Sequence, residues 1–120
     1  LRQLLHETAG ALDIKHHIDK TVITIEGPRF STKAESHMFR AWNADVINMS
    51  TVPEVVLARE KKLHYASVAM STDYDCWREG EESVTWEMIV NTMKKNSDSV
   101  INLFLNTVAK IEIYDDVCSA

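Results

Sequence analysis

Two carboxylates one residue apart, Asp73 and Asp75, close the run Val68-Ala69-Met70-Ser71-Thr72-Asp73-Tyr74-Asp75. The run begins small and apolar, as a buried strand does. In an extended chain residues i and i+2 point to the same side, so strand geometry carried to its end places both acids on one pocket. Two carboxylates that close cannot both ionise cheaply, and one is expected to keep its proton more readily than an isolated acid. Such a pair can hand a proton to a leaving group near neutral pH. The residues alone also fit a plain strand-end turn with solvated acids in a capping role.

The chain that must position this pair has 120 residues, enough for one domain with a modest core. Its 13 basic and 18 acidic side chains give a net charge of -5, which argues against a nucleic-acid partner. No apolar run approaches the ~20 residues that a membrane helix requires, so no membrane partner is expected. Cys76 and Cys118 lack metal-ligand spacing and read as reduced thiols of a cytoplasmic or nuclear protein. His16 and His17 read as loop residues, since no further ligands are spaced around them; no metal site is expected. The chain opens on Leu1 rather than Met, and a helix that starts there without lead-in suggests an upstream continuation.

Leu1, Leu4, Leu5, Ala9 and Leu12 recur at helical spacing and predict a helix over residues 1–13. Thr21 to Glu26 is rich in β-branched residues and predicts a strand, stopped by Gly27-Pro28. Thr32-Lys33-Ala34-Glu35 is a capping box that opens a helix, with Met38, Phe39 and Trp42 as its core stripe. Asp45 to Met49 predicts a buried strand. Thr51-Val52-Pro53-Glu54 has the pattern of a second capping box, with its helix running through about Lys61. His64 to Thr72 predicts a third strand, and residues 76–84 a mobile acidic loop. From Thr85 a long helical pattern runs to Val108, with a turn or break at Asn96-Ser97-Asp98; residues 111–120 show no pattern.

Strands alternating with helices, two of them apolar enough to be covered on both faces, give an α/β layered sheet. Ligands collect at the carboxyl ends of strands in such sheets. Three loops lie at those ends: Gly27 to Ser31, Met49 to Thr51 and Thr72 to Asp75. They are expected to line one cleft. Phe30 offers a ring that can stack on a planar ligand, although it also suits a core. Ser50 and Thr51 open a helix whose N-terminus can attract an anion, although they also suit plain caps. A planar base, an anion and a proton donor together describe cleavage of a nucleoside by phosphate.

Glu26-Gly27-Pro28-Arg29-Phe30-Ser31-Thr32-Lys33-Ala34-Glu35-Ser36, then Ala44-Asp45-Val46-Ile47-Asn48-Met49-Ser50-Thr51-Val52-Pro53-Glu54-Val55-Val56-Leu57-Ala58, then Thr72-Asp73-Tyr74-Asp75-Cys76-Trp77 resemble the purine nucleoside phosphorylase family. Within it they resemble the members that act on methylthioadenosine. The resemblance implies a three-layer α/β/α sandwich with a mixed central sheet. Residues 1–120 would be the C-terminal part of a single domain, lacking the N-terminal half with its glycine-rich phosphate loop. It implies phosphorolysis of methylthioadenosine to adenine and methylthioribose 1-phosphate. No metal or organic cofactor is implied, and inorganic phosphate is the co-substrate. A homotrimer is implied for the complete enzyme.

By the same resemblance Phe30 packs on the base, Ser31 helps to set base specificity, Met49 lies along the ribose and Ser50 binds phosphate. Asp73 bonds the base at N7 and the 6-amino group, Asp75 supports it at the 6-amino group, and Tyr74 lies between them in the substrate site. Asp73 and Asp75 are the catalytic pair. Members acting on 6-oxopurines typically have Glu where this chain has Ser31 and Asn where it has Asp73. The chemistry agrees, since a 6-amino group is a donor and wants a carboxylate acceptor. Where the family commonly has a small Val lining the 5′-methylthio pocket, this chain has Trp86, with Ile89 on the same wall one turn later; plain helix–sheet packing is the alternative for Trp86. Two other functions stay open: a phosphorylase of 6-oxopurine nucleosides, and a non-catalytic piece that binds nucleosides or other subunits.

Overall fold

A computed structural model describes residues 1–78 and 85–112. Its centre is a βαβ unit. Strand β1 (Val22–Thr24) and strand β2 (Val46–Asn48) pair in parallel, with Val22 beside Val46, Ile23 beside Ile47 and Thr24 beside Asn48. A parallel pair needs a crossover connection, and helix α2 (Lys33–Ala41) supplies it. Both strands are shorter than the β-branched runs that predict them, and their residues are half-buried rather than buried. At their start the Asp45 carboxylate accepts from the Thr21 amide at 2.9 Å and from Lys20 Nζ at 3.0 Å. These bonds hold Asp45 below the usual carboxylate range. At their end the Thr24 hydroxyl donates to Asn48 Oδ1 at 2.9 Å.

The capping box at Thr32 forms as predicted. Glu35 N donates to Thr32 Oγ1, and the Glu35 carboxylate accepts from Thr32 N at 2.7 Å. The second box does not form. Helix α3 (Thr51–Glu60) is capped at Ser50, one residue earlier, without a side-chain cap bond. Asn48 is the reason: its amide donates to Thr51 Oγ1, which draws the hydroxyl back toward β2 instead of forward over the first turn.

Helix α1 (Arg2–Ala11), α2 and α3 all end in the same way. Asp13, Asn43 and Lys62 take left-handed φ values of 53°, 61° and 56°. Paired bonds close each end: Asp13 N to Gly10 O with Ile14 N to Ala9 O, Asn43 N to Arg40 O with Ala44 N to Phe39 O, and Lys62 N to Arg59 O with Leu63 N to Ala58 O.

Helix α4 (Trp86–Val108) starts at a Thr85 cap and runs unbroken through Asn96-Ser97-Asp98. The expected break is absent: Ser97 turns its hydroxyl back onto Met93 O at 2.7 Å and the helix continues past it. Packing of α1 on α4 buries Thr8, Ala9, Leu103 and Thr107. Two of these are threonines, and Thr107 satisfies its hydroxyl on Leu103 O. The predicted apolar stripes lie only partly inside: Ala9 of α1 is buried and Phe39 of α2 is half-buried. Trp86, Met93, Ile101, Phe104, Leu105 and Val108 of α4 are exposed, as are Met38 and Trp42 of α2. Apolar residues occur on several sides of α4, so spacing alone did not select the face that meets the small residues of α1.

His64 to Thr72 forms no strand, contrary to expectation. A strand is stabilised by ladder bonds to a neighbour, and among the described residues none pairs with this segment. The Tyr65 hydroxyl fastens its start to Glu54 of α3 at 2.8 Å. The predicted loop over 76–84 is described only to Arg78. Its remainder, Cys118 and most of the 111–120 tail lie outside the described residues.

Candidate active site

The three loops beyond the strand ends are joined by specific contacts. The first, residues 27–31, is held from both sides by Glu35. Arg29 donates to that carboxylate at 2.8 and 2.6 Å, and the Thr32 amide and hydroxyl donate to it at 2.7 and 2.9 Å. The Arg29 bond leads the Thr32 bonds in pulling the Glu35 pKa down to about 2, and Glu35 in turn raises that of Arg29. Phe30 and Ser31 lie between the two clamped residues. The Phe30 ring is 74% exposed, so it presents a face rather than filling a core. The Ser31 hydroxyl oxygen is buried and has no hydrogen-bond partner among the described residues. A buried, unsatisfied hydroxyl is rare in native proteins and marks a place where a ligand can supply the bond.

The second loop meets the first through Met49. An ideal Cβ on Gly27 would stand 3.0 Å from Met49 Sδ, so glycine is what lets the thioether lie on the backbone there. Ser50 and Thr51 follow at the start of α3. The Ser50 side chain makes no cap bond, which leaves the helix N-terminus with backbone donors and an uncommitted hydroxyl beside them.

The third loop packs against α2 and the first loop. Asp75 does not continue an extended chain: its φ is 59°, in the left-handed region. The same-side placement expected from strand alternation therefore does not hold to the end of the run. Instead Asp73 Oδ1 accepts from the Asp75 amide at 2.8 Å, and Asp73 Oδ2 accepts from the Thr72 hydroxyl at 2.7 Å. The Asp75 carboxylate accepts from Ser36 of α2 at 2.6 Å. Each acid thus has its own donors within one turn. The Cys76 thiol reaches the Ser31 carbonyl at 3.5 Å. Desolvation of that thiol, with Asp75 beside it, raises its pKa, so it stays protonated at neutral pH. The Arg40 guanidinium stacks on Trp77 at 3.7 Å, and that of Arg78 on Tyr74 at 4.0 Å.

Phe30, Ser31, Met49, Asp73, Tyr74 and Asp75 therefore stand on loops that touch, with Ser50 next to Met49. Trp86 and Ile89 are not among the contacts that join these loops. Trp86 is 76% exposed at the start of α4. Sequence reasoning gave no part in holding the loops to Ser36, Glu35, Arg40 or Asn48, although all four hold them. Glu35 alone carried a signal, as the closing glutamate of the capping box. His16 bonds His6 at 2.6 Å and the Ile14 carbonyl at 2.6 Å. Among the described residues no group of three or more His, Cys, Asp or Glu is arranged to hold a metal ion. No helix there is long and apolar enough to cross a membrane.

Comparison with known proteins gives this geometry a family. The chain is 54% identical over 110 residues to S-methyl-5′-thioadenosine phosphorylase of Danio rerio, covering 92% of this chain and 39% of that protein. It is 50% identical to the Drosophila melanogaster protein of the same name, covering 92% and 38%. The chain thus spans about two fifths of the length of the curated relatives it matches. Among solved structures, a variant of adenosine/methylthioadenosine phosphorylase from Schistosoma mansoni in complex with adenine superposes with a TM-score of 0.88 at 36% identity, over 98% of this chain and 48% of that one. A methylthioadenosine phosphorylase from an antarctic soil metagenomic library gives 0.80 at 38% identity, over 89% and 38%. The α/β unit described above is therefore part of a nucleoside phosphorylase fold. The profile of the Phosphorylase superfamily matches residues 1–109, and the chain belongs to that superfamily.

Proposed function

We propose that this chain carries the base-reading side and part of the phosphate side of a methylthioadenosine phosphorylase. As in the sequence reading, it would be the C-terminal part of a single domain. The observation that carries this reading is the junction of Ser31 with the Asp73–Asp75 turn, made by the Cys76 contact to Ser31 and by Ser36 between α2 and Asp75. One orphan hydroxyl and two carboxyl groups stand on touching loops beside an exposed phenyl ring. Adenine offers the complement: ring nitrogens that accept, a 6-amino group that donates and a planar face.

In the reaction, the glycosidic bond stretches first and the sugar becomes cationic, as in glycoside cleavage. Negative charge builds on adenine. Asp73 delivers a proton at N7 and Asp75 holds the 6-amino group. Phosphate, drawn to the α3 N-terminus and the Ser50 hydroxyl, takes the anomeric carbon. Met49 lies along the ribose, and Trp86 with Ile89 bounds the 5′ substituent. Tyr74, backed by Arg78, lines the substrate side of the turn. No cofactor enters this scheme. A homotrimer and a cytoplasmic location go with the reading on family resemblance alone.

The test is release of adenine from methylthioadenosine by the full-length protein. Strict dependence on phosphate, with methylthioadenosine preferred over inosine, supports the reading; inosine as the better substrate overturns it. A second reading is favoured by the thin core, in which Ala9 and Leu103 are the buried apolar residues among those described. In that reading the 120-residue chain binds nucleosides or subunits without turning substrate over. Calorimetry with adenine on the chain itself separates the two, since binding indifferent to phosphate favours the second.

A further inference from the structure

Ser36 is 1% exposed and is the one residue of α2 that is buried. A buried hydroxyl must find a partner or cost the fold its desolvation. This one donates to Asp75 Oδ2 at 2.6 Å, the short length typical of a hydroxyl on a carboxylate. Asp75 in turn holds a left-handed backbone, which Asp tolerates and which its contacts here fix. Those contacts lie on either side. Asp73 accepts the Asp75 amide, and Arg40, one turn beyond Ser36 on the same face of α2, stacks on Trp77.

We propose that Ser36 is a positioning residue that sets base specificity through Asp75. The inference rests on the functional reading above. A hydroxyl that donates a hydrogen bond to Asp75 Oδ2 holds that carboxylate as an acceptor and fixes its plane. An acceptor suits the 6-amino edge of a purine and repels a 6-oxo edge, so Ser36 favours aminopurines without touching them. Without the hydroxyl, Asp75 loses both its anchor and the donor that commits it to accepting.

The experiment compares methylthioadenosine with 5′-methylthioinosine, which differs only at position 6, in the full-length protein. Ser36→Ala should lower kcat/KM for methylthioadenosine by about 10- to 100-fold, the span of one hydrogen bond to a charged group. The 6-oxo analogue should lose much less, so the ratio of the two falls. Ser36→Cys, close in volume but a weak donor, should behave like Ser36→Ala and decides the matter if alanine does not fold. In an Asp75→Asn background, Ser36→Ala should cost almost nothing further. Equal losses on both substrates, or an undiminished penalty in that background, would make Ser36 a packing residue and overturn the proposal. A wild-type protein that does not prefer the amino substrate overturns the functional reading beneath it, which is a different result from an unmoved ratio in a selective enzyme.

Discussion

Arg29 and Glu35 meet through two parallel bonds of 2.8 and 2.6 Å, and the Thr32 amide and hydroxyl converge on the same carboxylate. The residues on both sides of Phe30-Ser31 are thereby tied to the first turn of α2. A capping residue has become the clamp of the loop proposed to receive the base. Glu35→Gln keeps the size and breaks the fork. The expected outcome in the full-length protein is a rise of about threefold to tenfold in KM for the nucleoside, as expected when a positioning contact loosens, with kcat changed less. Steady-state kinetics on the variant checks it; an unchanged KM would show that the loop holds its shape unaided.

The same clamp makes a pH statement. Glu35 is lowered from an ordinary 4.5 to about 2 in the folded chain. A depressed acid adds its stabilisation above its unfolded pKa and loses it as pH falls through the folded one. The clamp should therefore be intact at pH 5 and fail only toward pH 2. A carbon-detected titration of the Glu35 carboxyl should give a midpoint near 2, and a midpoint near 4.5 would show that solvent, not Arg29 and Thr32, sets its charge.

Substitution of Gly27 is expected to act through Met49. Its missing Cβ is the space that Met49 Sδ approaches. In Gly27→Ala the flexible end of Met49 should give way, so the melting temperature should fall little. KM for nucleosides with a ribose should rise, while affinity for free adenine changes less. Equal effects on nucleoside and base would remove Met49 from the ribose side.

The βαβ unit, the capping box at Thr32 and the long helix after Thr85 were legible in the sequence because their signals are local. Periodicity, β-branching and caps depend on neighbours a few residues away. What was not legible depends on partners distant in sequence. The His64 to Thr72 segment has the composition of a strand, but a strand needs a ladder and composition does not supply one. Asn48 captured Thr51 and cancelled a cap that the Thr-x-x-Glu pattern promised. The acids were found by spacing, yet their arrangement came from a left-handed turn and a serine 39 positions away. A lone Ser inside a helix carries no sequence signal that its hydroxyl will be buried.

Trp86 stands 76% exposed at the head of α4, so shortening it should cost the fold little, within about 0.5 kcal/mol as for other exposed positions. If it walls the 5′ pocket, Trp86→Val should change KM for adenosine and for methylthioadenosine by different factors. Comparison of the two substrates checks this, and equal factors would place Trp86 outside the pocket.

The central claim is that the acid turn reads the amino edge of a purine, and Asp73→Asn tests it most directly. Asparagine keeps an oxygen for the Asp75 amide, so the turn should survive. In the full-length protein the variant should lose about 100-fold or more on methylthioadenosine, the usual scale of a lost general acid, and gain relative preference for inosine. Relative rates on the two substrates that match those of the unaltered protein would contradict the account.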